Sequence, residues 1–187
     1  MTDAARHIAR MFGAGATHRT WRFYDDGRTP NSALPVIVHR PGSIPDIAAL
    51  GDIFDTVFAA HGWPAQWRGG VFDFHHYHAI AHETLAVVAG RALLELGGEA
   101  GQVIEVSRGD VLILPAGTGH CRHQASPDFQ LTAAYPTDQQ DWDLCRTDDA
   151  QAYRGARARI AAVRTPERDP VFGTRGGVAD LWNGPGV

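Results

Sequence analysis

Cysteine is scarce in this chain. Cys121 and Cys145 are the only two among 187 residues, and no paired spacing links them. A disulfide framework has no support, and a reducing, cytoplasmic setting is the expectation. Long apolar runs are missing too, since none approaches the roughly 20 residues needed to cross a bilayer. The first dozen residues lack the continuous apolar stretch of a secretion signal, so no membrane partner is expected. Nor is charge of one sign gathered into a block. Seventeen Lys plus Arg against 21 Asp plus Glu leave a net charge of -4. The one basic cluster, Arg154, Arg157, Arg159 and Arg164, has helical spacing and reads as a solvated helix face, which argues against a nucleic-acid partner. Gly97-Gly98 and Gly13-Ala14-Gly15 lack the context of a phosphate loop, and no internal repeat or low-complexity block stands out.

What is present fits one globular domain with terminal extensions. Hydrophobic residues make up 44% and charged residues 20% of the chain, which is ordinary for a single-core protein. The expected organisation is an N-terminal helix and strand extension over 1–33, a β-barrel over 34–140, and a C-terminal helix with a Pro/Gly-rich arm over 141–187. Helices are expected at 3–12, 45–61 and 150–163. The second of these follows from Ile47, Leu50, Phe54, Val57 and Phe58 recurring at helical spacing. Strands are expected at 20–24, 34–39, 70–78, 83–89, 92–96, 102–106, 110–114, 120–124 and 129–135. Many short strands punctuated by glycine turns, with no helix between most of them, indicate an all-β sandwich or barrel.

Two histidine-bearing stretches stand within that run of strands. On a strand alternate side chains share a face, so His76 and His78 project together. A second strand can bring His120 to the same point, and Glu83 can add a carboxylate. Three neutral imidazoles and a carboxylate are a normal ligand set for a divalent first-row metal such as zinc, nickel, iron, manganese or cobalt. His82 competes with Glu83 for the fourth position. The two are adjacent, so they face opposite ways and only one can reach the metal, with Glu83 favoured and His82 as the backup. His82-Glu83 has no second histidine at the zincin spacing, which argues against a metalloprotease.

These intervals resemble the two motifs of the cupin superfamily. The first is matched by Gly70, His76, His78, Glu83 and Gly90. The second is matched by Gly109, Pro115, Gly117 and His120, with Gln124 where the motif ends in Asn. Over nearly the whole chain, Pro30-Asn31, Trp63, Trp67-Arg68, the run from His75 to His78, Gly119-His120, Tyr135-Pro136 and Asp169-Pro170-Val171 resemble the YjlB-like cupins. The resemblance implies an all-β double-stranded β-helix, or jelly-roll barrel, with flanking helices and a metal in the barrel. Cupins include oxygenases, isomerases, decarboxylases, sensors and storage proteins, so the fold leaves the reaction open.

Around the site, Phe72 and Phe74 are in phase with His76 and should line the barrel interior as substrate-binding candidates. Arg122 and Gln124 are in phase with His120. Arg122 is either a carboxylate anchor or an exposed strand-end arginine. Glu83 and Arg122 are the catalytic candidates. His75, Tyr77 and Cys121 alternate away from the ligands, the first two onto the barrel exterior and the last as a buried thiol. Trp63, Trp67 and Trp142 read as core or lid. The leading expectation is a metal-dependent dioxygenase, isomerase or lyase acting on a small molecule in the barrel mouth. Alternatives are a non-catalytic sensing cupin and a metal-stabilised structural module. A homodimer through the N-terminal segment or an edge strand is expected, because an open edge must be covered or paired.

Overall fold

The computed structural model describes residues 2–184. Five helices occur among them: α1 (Asp3–Met11), α2 (Leu50–Ala60), α3 (Ala150–Tyr153), α4 (Ala156–Ala162) and α5 (Gly177–Leu181). Eleven strands make up the rest of the regular structure. The first six are β1 (Thr17–Trp21), β2 (Val36–Arg40), β3 (Ala65–Gly69), β4 (His76–Tyr77), β5 (Glu83–Ala89) and β6 (Arg91–Leu96). The last five are β7 (Gln102–Ser107), β8 (Val111–Leu114), β9 (His120–Ala125), β10 (Gln130–Ala134) and β11 (Cys145–Arg146). They form a six-stranded sheet in the order β1-β2-β8-β5-β10-β3 and a five-stranded sheet in the order β11-β4-β9-β6-β7. Every strand pair is antiparallel. The all-β architecture expected from the strand pattern, and the jelly roll that the cupin resemblance implies, are borne out.

Alternation assigns each side chain to a layer. In β5 and β8, Leu85, Val87, Leu112 and Leu114 point between the sheets, where they meet Leu94, Leu96, Ile104 and Leu131. Their neighbours Ala86, Val111 and Ile113 point outward, where Phe54, Phe58 and Val57 of α2 cover them together with Met11, Val178 and Trp182. The central strands of the six-stranded sheet are therefore buried on both faces, which is why they read as unbroken apolar runs. Each such side chain taken from water stabilises the fold by about 1.5–3 kcal/mol. The five-stranded sheet is different. Its outer face is covered only in part, where Tyr77 and Cys145 pack against Ala156 and Ile160.

Several boundaries differ from those expected. Residues 70–75 bend instead of extending, so the strand expected over 70–78 is reduced to His76–Tyr77. The strand expected at 20–24 forms at Thr17–Trp21. The C-terminal helix breaks at Gly155, which takes a left-handed φ of 79°. Strands β3 and β11 and the short α5 were not anticipated. With β1 and β11 in the sheets, both terminal extensions contribute strands to the jelly roll.

Candidate metal centre

The site is built where the two sheets open. His76 and His120 are directly paired across β4 and β9. His78 follows β4, and its carbonyl accepts a 2.7 Å hydrogen bond from Gly117 N. Gly117 holds φ +91°, and a Cβ there would lie 2.4 Å from the Asn31 carbonyl oxygen, so only glycine suits this turn. Glu83 opens β5 in phase with Leu85, which turns its carboxylate inward.

The histidine rings are oriented by backbone. His76 Nδ1 meets the Phe74 carbonyl at 3.1 Å, His120 Nδ1 meets the Thr118 carbonyl at 3.0 Å, and His78 Nδ1 meets the Asp143 carbonyl. A carbonyl can only accept, so each Nδ1 carries a proton, and in the neutral ring Nε2 is the nitrogen left with a lone pair for a cation. One ring nitrogen from each histidine lies within 4.8 Å of the others. Glu83 Oε2 is 3.5 Å from Nε2 of both His78 and His120. That oxygen is buried and has no hydrogen-bond partner, whereas Oε1 accepts from Tyr135 Oη at 2.5 Å. Tyr135 Oη in turn accepts from Trp67 Nε1 at 3.1 Å.

Burial and mutual proximity set the charges. Burial, reinforced by His120, drives His76 down to about 3, and burial also lowers His120. Burial opposes charge on Glu83 as well, but the neighbouring His78 outweighs it and holds the carboxyl at about 2. His78 is raised, because the Glu83 carboxylate more than offsets its burial. An anionic oxygen with no hydrogen-bond partner among three imidazole nitrogens is a costly arrangement unless a cation joins it, either a proton on His78 or a metal ion in its place. This donor set fits a divalent transition metal.

In front of the donors lies a cavity of about 330 Å³. Trp67, Phe72, Trp142 and Leu85 wall it, and His76, His78, His120, Glu83 and Tyr135 line its deeper part. Trp142 stacks on Tyr135 with centroids 5.3 Å apart and meets His78 edge-on at 5.2 Å. No arginine or lysine is among the residues lining this cavity.

No model of a known protein family matches the chain. It is 35% identical over 167 residues to the uncharacterized protein YjlB of Bacillus subtilis (strain 168), a match covering 88% of this chain and 96% of that protein. The chain belongs to the YjlB-like cupin family. Among solved structures, this cupin resembles three others. One is a Klebsiella pneumoniae protein with a double-stranded β-helix domain (13% identity, 78% and 96% of the two chains, TM-score 0.35). The next is KdgF from Halomonas sp. (19% identity, 68% and 83%, TM-score 0.33). The last is procruciferin, an 11S globulin from Brassica napus (14% identity, TM-score 0.36), where the match covers 74% of this cupin but only 30% of that chain. Likenesses this distant carry no argument about activity.

The expected site residues separate into two groups in this cupin. His76, His78, His120 and Glu83 come together. His82 lies on the other face of β5, where its Nδ1 accepts from Ala116 N at 2.9 Å and its ring packs 4.8 Å from Trp182. Phe72 reaches the cavity, but at its mouth and 49% exposed. Phe74 does not line it. Its ring stacks 4.8 Å from Phe72, with the Arg146 guanidinium 4.1 Å above. The expected alternation fails at Phe74 because 70–75 is not a strand. Arg122 is also outside the cavity lining, since its Nε donates to the Val71 carbonyl at 2.9 Å and so braces that bent segment. Gln124 is exposed on a different surface, beside Arg91 and Glu105. The cause is a register shift in which Leu94 faces Arg122 but Leu93 faces Gln124, so the phase set by His120 is lost.

Sequence reasoning missed Tyr135, Asp143 and Asn31 as site-building residues. Tyr135 continues the inward alternation of Leu131 and Ala133, which is the signal that pointed to it. Asp143 holds the His78 turn through its carbonyl, and its Oδ1 accepts from Ala79 N at 2.7 Å and Ile80 N at 3.2 Å. Asn31 donates from Nδ2 to the Tyr24 and Gly97 carbonyls and accepts from Gly119 N at 3.3 Å, fixing the turn before His120. Nothing local in the sequence marks the last two.

Proposed function

We propose that this cupin binds one divalent transition metal through His76, His78, His120 and Glu83, and acts as a metal-dependent enzyme on a small organic molecule held in the cavity. One observation carries the proposal. Three imidazole lone pairs and an unpartnered carboxylate oxygen gather in a cavity large enough for a small molecule. A bound metal there would supply Lewis acidity, or redox chemistry if it were iron or manganese.

The protein's own residues define the rest of the chemistry. Aromatic walls from Trp67, Phe72 and Trp142 exclude water and suit an apolar or aromatic body. Without a cationic side chain in the lining, the ligand's polar end must face the donor cluster instead of an ion-pair anchor. Glu83 turns one oxygen toward His78 and His120 and is held through the other by Tyr135. Its role is that of a ligand, and Tyr135 positions it. A purely structural metal staple would have no use for an open cavity beside its donors. That feature favours ligand binding over the structural module.

Elemental analysis of protein purified without a metal-affinity tag tests this directly. At least about one equivalent of transition metal per chain in the wild type, with one equivalent lost in His76→Ala, supports the proposal. Metal-free wild type that takes up none on addition of zinc, cobalt, manganese or iron refutes it. A binding screen that compares neutral with anionic aromatic molecules then tests the ligand class, with the neutral set expected to bind. The homodimer is also proposed, through β1, an edge strand whose residues Thr17 to Thr20 are exposed. A monomer in light scattering would reject it.

A further inference from the structure

The strands that present His76 and His120 inward carry a second donor set on their other face. His75 precedes His76, Cys121 follows His120, and Glu95 of β6 is the direct cross-strand partner of Cys121. One ligand atom each from His75, Glu95 and Cys121 falls within 4.8 Å of the other two. Glu95 Oε2 is 3.1 Å from His75 Nε2 and 2.8 Å from His123 Nε2. Cys121 Sγ is 3.6 Å from His75 Nε2. His123, two residues after Cys121 on β9, belongs to the same face. His75, Glu95 and Cys121 are thus one set of close donors from three adjacent segments, and His123 reaches the same Glu95 oxygen.

We propose that His75, Glu95, Cys121 and His123 form a second transition-metal site on the outer face of the five-stranded sheet, back to back with the inner donors. A thiolate, two imidazoles and a carboxylate make a four-donor set of the kind that zinc takes in tetrahedral form, and the sulfur selects against magnesium and calcium. The site is reachable. His123 is 46% exposed and His75 and Glu95 are 14% exposed, while only Cys121 is buried. Access from solvent suits a metal that is taken up and released after folding. Because His75-His76 and His120-Cys121 are bonded neighbours, an ion here would also fix the backbone that aims the inner histidines.

Cobalt separates the two sites by spectroscopy, since the inner donors include no sulfur. Co²⁺ is added to metal-free, reduced, full-length protein and near-ultraviolet thiolate-to-cobalt charge-transfer absorption is followed. The band is expected in wild type, Cys145→Ser and His76→Ala, and is lost in Cys121→Ser with one fewer equivalent bound. His123→Ala, at an exposed position that cannot unfold the sheet, should weaken the cobalt affinity read from the band by at least about tenfold. The proposal is overturned if no band appears at saturating cobalt, if it persists in Cys121→Ser, or if His123→Ala leaves the affinity unchanged. Those outcomes leave the inner site's own metal content unaffected.

Discussion

Glu83 and Asp169 are both buried carboxylates beside histidines, and their oxygens are used in opposite ways. Asp169 Oδ1 accepts from Val171 N at 2.8 Å and Phe172 N at 3.0 Å, and Oδ2 accepts from Val178 N at 3.0 Å with His39 Nε2 at 3.5 Å. The three hydrogen bonds fold the C-terminal arm on itself, and the 3.5 Å approach of His39 sets that arm against β2. Glu83 has one oxygen bonded to Tyr135 and the other facing imidazole nitrogens with nothing bonded to it. A saturated carboxylate closes a fold. One left open among lone pairs is built to receive a cation.

The largest expected effect in this comparison falls on the saturated member. Asp169→Ala strands two buried N–H groups and one part-buried N–H and should cost about 3–5 kcal/mol of stability, measured as a lower denaturant midpoint. Glu83→Gln should act chiefly on the metal. Metal affinity by titration calorimetry should fall more than about 100-fold, because a primary ligand is lost where outer partners cost about 10- to 100-fold. Stability of the metal-free protein should fall by less than in Asp169→Ala, since the pairing with His78 is weakened while no backbone N–H is left without a partner. If Glu83→Gln unfolds the protein like Asp169→Ala, the distinction between the two carboxylates is wrong.

His82 sharpens the contrast as a buried histidine with no carboxylate beside it. Burial lowers its pKa from 6.5 to about 4 in the fold. The unfolded chain takes up a proton as pH falls through 6.5 while the folded chain does not until about 4. Its contribution to stability is therefore present above 6.5 and lost across that window, at up to about 1.4 kcal/mol per pH unit. His82→Gln should flatten this acid limb in pH-dependent melting and leave metal content unchanged. Loss of metal in His82→Gln with retention in Glu83→Gln would hand the fourth position to the histidine. The smallest effect is expected for Tyr135→Phe. It removes one hydrogen bond to Glu83 and should weaken metal affinity by about tenfold or less, read by the same calorimetry.

Alternation made the jelly roll and the inner donors legible in the sequence. His76, His78 and Glu83 sit on or beside regular strands, and the glycines at 90, 109 and 117 mark turns that only their left-handed φ permits. The same rule failed where the chain is not a regular strand. Phe74 went astray because 70–75 bends, and Gln124 because of the shift after Arg122. Neither feature has a local signature, as both depend on which strand lies alongside. Asp143 and Asn31 act through backbone contacts 65 or 66 residues away in the chain, a separation no local pattern encodes. Asp169 was legible only as part of a family resemblance. Its role comes from the arm that it folds.

The most direct test of the central claim is anomalous diffraction from crystals of the untagged protein loaded with zinc or cobalt. A peak is expected at bonding distance from Nε2 of His76, His78 and His120 and from Oε2 of Glu83, with His82 out of reach. Metal ligated by His82, or no peak among the inner histidines at full loading, would contradict the account.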